Sequence, residues 1–168
     1  MKFLADSMLG KLSRWLRMLG QDVTYNVKLN DNELLGLSKK ESRILLTKDL
    51  ELYRRASAIG VEAFFVEGKS ESERLAEVAD KCGLTLEVDM EKSYCPICNT
   101  KLKNTPKEQL SGELQKNTYA YYDKFWKCPN CGQIYWQGAH WNQITNTLYE
   151  AQTKLQKLKE KRKNRILS

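Results

Sequence analysis

The first half of the chain alternates short apolar runs with longer segments whose apolar residues recur at helical spacing. The runs with the composition of β-strands are residues 2–6, 22–27, 43–47 and 61–66, with 84–89 as a weaker candidate for a fifth strand. Helical segments are predicted between them, at 7–19, from 30 or 31 to 41, at 50–59 and at 70–83. Strands that alternate with helices predict a parallel sheet with right-handed crossovers, so residues 1–90 are expected to form an α/β domain.

The pattern changes near Glu91, where apolar runs give way to polar loops, aromatic residues and two cysteine pairs. We expect residues 91–141 to form a small unit built around those cysteines. A helix is predicted from about 142 to 164, because apolar residues again recur at helical spacing. Its end, 154–165, has seven basic residues and one acidic residue, and we expect this tail of the third unit, 142–168, to be frayed or disordered.

Charge is distributed unevenly between the two halves. Residues 1–90 hold 14 basic and 15 acidic side chains, whereas residues 91–168 hold 14 basic and 6 acidic ones. A strongly basic half favours an acidic partner, for which RNA or another nucleic acid is the usual one and an anionic membrane is the rival; solubility alone would also explain it. The chain lacks an apolar run long enough to span a bilayer and a signal peptide at its start, so we expect a cytoplasmic protein without membrane association.

Two C-x-x-C pairs predict a metal site in the second half. Cys95 and Cys98 form the first pair, Cys128 and Cys131 the second, and each pair encloses a proline. Two residues between thiolates allow a tight turn to direct both sulfurs at one ion, and four thiolates complete a closed tetrahedral zinc site of structural type. A redox pair or an iron–sulfur cluster is the alternative. The remaining cysteine, Cys82, is expected to be a small buried hydrophobe.

Three aspartates are candidates for a second metal site. Asp6 ends the first strand, Asp49 follows the third, and Asp31 lies after the second strand at a helix start. If the strand order is 2-1-3-4, Asp6 and Asp49 meet at the edge where ligands bind open parallel sheets, and Asp31 approaches from the adjoining loop. Clustered carboxylates suit Mg²⁺ or Mn²⁺, which can activate water for phosphodiester hydrolysis. The alternative is that each aspartate only caps a helix.

Basic and aromatic side chains are candidates for binding a phosphate chain. Lys11, Arg14 and Arg17 are predicted on the polar side of the first helix, where they could bind phosphates. His140 could contact RNA, or it could be packed where the cysteine-rich unit meets the last helix. The same two readings, base stacking or core, apply to the aromatic residues Trp126, Tyr135, Trp136 and Trp141.

Three blocks of sequence resemble one family. FLADSMLGKLSRWLRMLG at 3–20, RILLTKD at 43–49 and CGQIYWQGAHW at 131–141 are similar to the Mut-seven C-terminal ribonuclease domain family. The resemblance implies a PIN-like α/β fold with an attached zinc ribbon, and RNA cleavage that depends on Mg²⁺ or Mn²⁺ but on no organic cofactor. Carried over by position, the resemblance implies catalytic roles for Asp6, Asp31 and Asp49, substrate contacts from Arg14 and Arg17, and zinc binding by Cys95, Cys98, Cys128 and Cys131.

The chain departs from the family pattern at two positions. Lys48 replaces the usual arginine, which keeps the positive charge for substrate binding but loses bidentate contact with phosphate. Ser13 replaces alanine. PIN-like sites commonly include a fourth acid, for which Glu33 and Glu67 are candidates. The leading hypothesis is a metal-dependent ribonuclease; the alternatives are a non-catalytic RNA- or ribosome-binding zinc-ribbon protein and a protein-interaction adaptor.

Overall fold

A computed structural model describes residues 1–167, which form a parallel sheet with helices on both faces, a small antiparallel sheet and a long final helix. The parallel strands are β1 (Lys2–Ala5), β2 (Asp22–Tyr25), β3 (Ile44–Thr47) and β4 (Ala63–Phe65). Their order, β2-β1-β3-β4, is the order on which the aspartate prediction depended. The helices between and after them are α1 (Gly10–Met18), α2 (Asp31–Glu41), α3 (Leu50–Ala58) and α4 (Glu71–Cys82).

Local sequence explains where the helices begin and end. Asn30 and Ser70 cap α2 and α4 in complete capping boxes, with Glu33 and Glu73 as the reciprocal partners. The helix predicted from residue 7 begins instead as a 3₁₀ turn, Ser7–Leu9, because the Asp6 carboxylate accepts a hydrogen bond from the Met8 N–H and tightens the first turn.

The sheet separates two hydrophobic cores. Phe3 and Ala5 of β1 face a core shared with α1, α4 and the C-terminal helix, whereas Leu4 faces a core shared with α2 and α3. This alternation follows from the two-residue period of a strand. Because both faces of the sheet are covered, β1 and β3 consist almost entirely of apolar residues.

Residues 84–89 were expected as a fifth strand, and in the described structure they form none. Leu84, Leu86 and Val88 pack against the first core, which accounts for the alternating pattern. The Leu86 carbonyl accepts a hydrogen bond from Gln152 Nε2 of the C-terminal helix, at 2.9 Å, instead of pairing with β4. The alternation of apolar and polar residues therefore arises from a half-buried segment that lies outside the sheet.

The cysteine-rich half contains a three-stranded antiparallel sheet in the order β5-β6-β7. The strands are β5 (Lys103–Asn104), β6 (Trp126–Lys127) and β7 (Ile134–Tyr135), and between β5 and β6 lie a 3₁₀ turn (Lys107–Leu110) and α5 (Lys116–Tyr121). Its small core consists of Met90, Cys95, Leu102, Trp126 and Cys128. We refer to residues 91–140 as the ribbon.

The final helix, α6 (Trp141–Leu167), packs along α4 and supplies Leu148, Ala151 and Leu155 to the first core. Its basic end is helical to Leu167, in contrast to the frayed tail that we expected, and Ser168 lies outside the described residues. Lys154 lies 3.7 Å from Glu73 and Arg162 pairs with Asp80, so acids of α4 neutralise part of the basic half. Within residues 1–167, no helix combines the length and the apolar character needed to cross a membrane.

Candidate functional site

Thr47 connects the Asp6 carboxylate to the backbone of Asp49, where the neighbouring strands β1 and β3 end. Thr47 Oγ1 donates a hydrogen bond to Asp6 Oδ2 at 2.5 Å and accepts one from the Asp49 N–H at 2.9 Å. Asp6 also accepts from the N–H groups of Lys48 and Met8, both at 2.8 Å. The carboxylate of Asp6 is therefore buried, oriented by three donors, and linked directly to the segment that carries Asp49.

This position is the point where the sheet reverses its direction of winding. The chain leaves β1 through α1 on one face, whereas α2 and α3 cover the other face. In open parallel sheets, the crevice at the carboxyl ends of two such strands is the usual ligand site. Asp49 Oδ1 caps α3 by accepting from the N–H groups of Glu51 and Leu52, and its Oδ2 has no hydrogen-bond partner within residues 1–167. We call the position where β1 and β3 end, between Asp6 and Asp49, the Asp6–Asp49 crevice.

Asp31 is paired with an arginine of α3 and shares no hydrogen bond with Asp6 or Asp49 within residues 1–167. It lies in the first turn of α2 and forms an ion pair with Arg55 of α3 at 3.1 Å, with both side chains partly exposed. Among the described residues, the cysteines are the only group of three or more potential ligands of this kind gathered around one point. The capping roles foreseen as the alternative hold for Asp6 and Asp49, whereas Asn30 rather than Asp31 caps α2.

The two candidates for a fourth acid differ in their availability. Glu33 Oε2 accepts from the Asn30 N–H at 2.8 Å as part of a capping box. Glu67 is exposed and follows β4, the neighbour of β3, so it lies toward the same edge of the sheet as Asp49. The carboxylate of Glu67 is therefore more available to a ligand than that of Glu33.

The predicted phosphate-binding residues fall into two groups. Lys11 and Arg14 are exposed on α1, the helix that follows Asp6, and Lys48 is partly exposed beside the crevice. Arg17 is 5% exposed and donates to three backbone carbonyls: that of Val23 at 2.7 and 3.0 Å, that of Pro96 at 2.7 Å and that of Ile97 at 3.3 Å. Burial lowers the pKa of Arg17, partly offset by the nearby thiols. These contacts argue against a phosphate contact for Arg17, because its donors join α1 and β2 to the ribbon.

A second side chain, Asn99, connects the ribbon to the edge of the sheet. Asn99 Oδ1 accepts from the Val23 N–H at 2.9 Å, and its Nδ2 donates to Asp22 Oδ1 at 2.7 Å. Asn99 has a φ of 63°, in the left-handed region that asparagine tolerates better than most residues. Burial raises the pKa of Asp22, but hydrogen bonds from Arg43 and Asn99 outweigh this effect and lower it below its ordinary value. Arg17 and Asn99 thus satisfy the carbonyl and the N–H of one residue of the edge strand β2.

The four paired cysteines converge as predicted, and they could hold a zinc ion. Their sulfurs all lie within 4.8 Å of one another, with Cys95 and Cys131 at 3.6 Å and Cys98 and Cys128 at 3.3 Å. A tetrahedral ion with Zn–S bonds of about 2.3 Å needs sulfurs about 3.8 Å apart, so a small expansion of this group accommodates it.

The pKa values of two of the thiols, Cys98 and Cys131, are shifted in opposite directions. Burial raises the pKa of Cys98, but hydrogen bonds with Thr100 and Asn130 outweigh it and lower the pKa to about 5. The Gln133 N–H lowers the pKa of Cys131, but burial and contact with the other three thiols outweigh it and raise the pKa to about 12. The Cys98 thiolate forms readily and opposes ionisation of Cys131, and a dication would remove that repulsion.

Comparison with known proteins identifies the family. The family model of the Mut7-C RNAse domain matches residues 1–148. The chain belongs to the Mut7-C RNAse domain family. Neither the curated proteins nor the solved structures give a significant match. The matched segment includes the parallel sheet, the ribbon and the start of α6, so the resemblance of the three blocks is confirmed, and membership points to a ribonuclease-type function.

His140 is far from the aspartates of this Mut7-C chain. It is exposed just before α6 and lines a cavity together with Met18, the last residue of α1. Since Asp6 precedes α1 and nine helical residues rise about 13 Å, the length of that helix separates the two sites.

The other aromatic and sulfur residues divide between core and cavity. Trp126 is buried and donates to Glu91 Oε1, and the hydroxyl of Tyr135 contacts Cys95 Sγ at 3.1 Å, so both serve the ribbon core. Trp136 and Trp141 line the cavity. Cys82 packs against the first core, and burial raises the pKa of its thiol to about 11, as expected for a small hydrophobe.

Three residues of the Mut7-C chain that position these groups were not singled out from the sequence. Thr47 had a detectable signal, because it is the polar residue in an otherwise apolar buried strand. Asn99 had a weaker one, because it directly follows a C-x-x-C turn where a left-handed residue is common. Arg55 had none, since its partner Asp31 is distant in sequence.

Proposed function

We propose that this Mut7-C family protein is a metal-dependent ribonuclease that hydrolyses RNA phosphodiester bonds at the Asp6–Asp49 crevice. The observation that carries the proposal is the Thr47 bridge, which holds two carboxylate-bearing segments together at the switch point of the sheet. The family membership supports the same reaction class. We place this activity in the cytoplasm, where thiols stay reduced and available as metal ligands.

The residues at the crevice fit a hard divalent cation. Asp6 and Asp49 offer only oxygen ligands, and Mg²⁺ or Mn²⁺ is commonly held by one or two carboxylates with water completing the shell. Asp49 Oδ2 is free of hydrogen bonds within the described chain, so it is available to a ligand. Asp31 would join them after release from Arg55. Such an ion would supply charge stabilisation for the phosphodiester and would activate water for hydrolysis.

The chain itself contributes position and charge. Three donors fix the Asp6 carboxylate, so it does not have to reorganise when a phosphate arrives. Lys11 and Arg14, exposed on the helix that follows Asp6, and Lys48 beside the crevice would bind the phosphate chain. Arg17 is left out because its donors are committed to backbone carbonyls. We propose that Cys95, Cys98, Cys128 and Cys131 bind zinc and that the basic ribbon half helps to bind RNA.

Two conservative substitutions test the crevice. Asp49→Asn keeps the size and the capping hydrogen bonds of the side chain, whereas Asp6→Asn keeps the size but turns one accepting oxygen into an N–H donor. Both remove the charge that would bind the ion. We expect each to lower the rate of cleavage of labelled single-stranded and structured RNA, with Mn²⁺ present, by about a hundredfold or more. Asp123→Asn is the matched control, because that aspartate is 88% exposed in the ribbon half. Undiminished cleavage by both folded variants would remove this mechanism.

A non-catalytic RNA-binding protein is the second candidate. It is favoured by the capping roles of Asp6 and Asp49, which give both aspartates a structural purpose. Mn²⁺ titration separates the two candidates: an enzyme binds the ion at the crevice and loses that binding in Asp49→Asn, whereas a pure binder shows no such site. RNA affinity that is insensitive to salt would instead favour a protein-interaction adaptor.

A further inference from the structure

A cavity of about 290 Å³ lies where the end of α1, the ribbon and the start of α6 meet. Its wall is mostly apolar and includes four aromatic residues, Tyr94, Tyr135, Trp136 and Trp141. Nothing in the cleavage chemistry proposed above uses it, and Met18 at its base lies a full helix length from Asp6. The cavity is therefore a separate feature whose ligand must be inferred from its own chemistry.

Its chemistry suits a flat heterocycle with a polar edge. Aromatic walls stack on the face of a planar ring, whatever its substituents. Three polar side chains, Ser93, Gln133 and His140, also line the cavity. Ser93 is buried and donates to backbone carbonyls, whereas Gln133 and His140 are exposed to solvent. The His140 side chain has no hydrogen-bond partner within residues 1–167, so its imidazole is available to a ligand. An unpaired nucleobase combines a π-face with a hydrogen-bonding edge.

The surroundings of the cavity favour the phosphate chain that carries such a base. None of its lining residues is acidic. The helix α6 begins at Trp141 in the cavity wall and has no acidic residue in its first turn, so its positive end is left uncompensated. Lys101 Nζ lies 5.0 Å from the ring centre of Tyr94, which adds a cation beside the wall. An anionic polymer is thus favoured over a neutral apolar ligand.

We propose that this cavity binds one unpaired nucleobase of an RNA strand at a distance from the bond that is cleaved. The proposal rests on the proposed function in taking the ligand to be RNA, but the cavity itself is formed without the aspartates. The length of α1, about 13 Å, separates the two sites, so the anchored base is not the one at the scissile phosphate. Anchoring a base there selects substrates that are single-stranded at that point and fixes where cleavage falls relative to it.

Scanning a strand with abasic positions tests the proposal. Affinity of the zinc-loaded full-length protein for labelled oligoribonucleotides is measured by anisotropy, without added Mg²⁺ or Mn²⁺. Because stacking of one base contributes about tenfold to a hundredfold to affinity, removal of the base at one register should weaken binding by that factor, and removal elsewhere should have little effect. Equal losses at every register, or no loss at any, would overturn the proposal.

Variants of the wall connect that effect to the cavity. His140→Ala and Gln133→Ala change exposed side chains that would contact the edge of the base, so each should lower affinity for intact RNA and reduce the difference between intact and abasic strands. Gln137→Ala is the control, because Gln137 is exposed in the same loop, and this variant should keep the full difference in affinity between intact and abasic strands. A position-specific effect that is undiminished in His140→Ala, Gln133→Ala and Trp136→Phe would place the base elsewhere and contradict the inference.

The failure of this proposal can be distinguished from failure of the nuclease. If Asp6→Asn and Asp49→Asn cleave normally but the abasic effect is present, the crevice mechanism fails and the base site stands. If cleavage depends on the aspartates and no register is sensitive to base removal, the nuclease stands and the base site fails. Binding of an apolar dye in the cavity that RNA does not displace would also count against a nucleobase.

Discussion

Replacing Arg17 with methionine should uncouple the ribbon from the α/β domain. Methionine keeps a long apolar stem in the buried site but removes every donor that reaches the carbonyls of Val23, Pro96 and Ile97. A buried acceptor left without its donor costs about 1–3 kcal/mol. Relief from burying a cation offsets part of that cost, so we expect a net loss of about 2–4 kcal/mol. That is a large part of the 5–15 kcal/mol that stabilises a typical domain.

Urea unfolding of the zinc-loaded protein, followed by circular dichroism, measures this loss. Because two of the affected carbonyls lie inside the C-P-I-C turn, zinc release to a chromogenic chelator should also become faster. Arg14→Met is the matched control, since Arg14 lies on the same helix but is exposed, and its replacement should change the unfolding free energy by less than about 0.5 kcal/mol.

The reasoning fails if Arg17→Met is as stable as Arg14→Met and releases zinc at the same rate. A different outcome would restore the original expectation for this residue. If Arg17→Met keeps its stability but loses RNA affinity, with a salt dependence reduced by about one ion, Arg17 contacts phosphate after all.

Three further substitutions have defined outcomes. Thr47→Val removes the hydroxyl that orients Asp6, so RNA cleavage should fall about tenfold or more at a stability cost of about 1–2 kcal/mol, and unchanged cleavage would contradict the positioning role. Arg55→Met frees Asp31 from a partly exposed ion pair, so the affinity for Mn²⁺, measured by calorimetry, should rise. The free energy of unfolding should change by less than about 1 kcal/mol. Weaker Mn²⁺ binding would argue against Asp31 as a ligand. The lowered pKa of Asp22 means that its contribution to stability is present above its ordinary pKa of 3.8 and is lost as pH falls through the lower folded value. Asp22→Asn should therefore flatten the acid limb of the urea midpoint, and an unchanged limb would contradict this.

The sheet could be predicted because the signals are local and agree with one another. Strongly apolar runs separated by capped helices leave few topologies once right-handed crossovers are required. The segment 84–89 was wrongly predicted to be a strand. A period of two indicates burial of alternate side chains, and here that burial comes from packing against the first core and not from strand pairing. The basic helix was expected to fray because its neutralising acids, Glu73 and Asp80, lie on a helix distant in sequence.

The cysteine cluster was predictable because spacing alone brings each pair of sulfurs together. The positions of the aspartates could be predicted only in part. A residue that ends a strand can be placed at an edge of the sheet from the sequence, but its hydrogen-bond partners cannot be predicted in this way. Arg17 illustrates the limit: its charge predicted a surface position, yet its contacts come from β2 and from a turn about 80 residues away. A periodic pattern does not reveal that one arginine on the polar side of a helix is buried by another part of the chain.

The attachment of the ribbon at Val23 also covers the backbone of an outer strand of the parallel sheet. β2 is an outer strand, and an uncovered outer strand offers its backbone to strands of other molecules. Here the amide of Val23 is taken by Asn99 and its carbonyl by Arg17, and both contacts depend on the fold of the first cysteine turn. If the cysteines bind zinc as we propose, removing the zinc should expose the backbone of β2, and the zinc-free protein should precipitate or form β-rich aggregates before its parallel sheet unfolds.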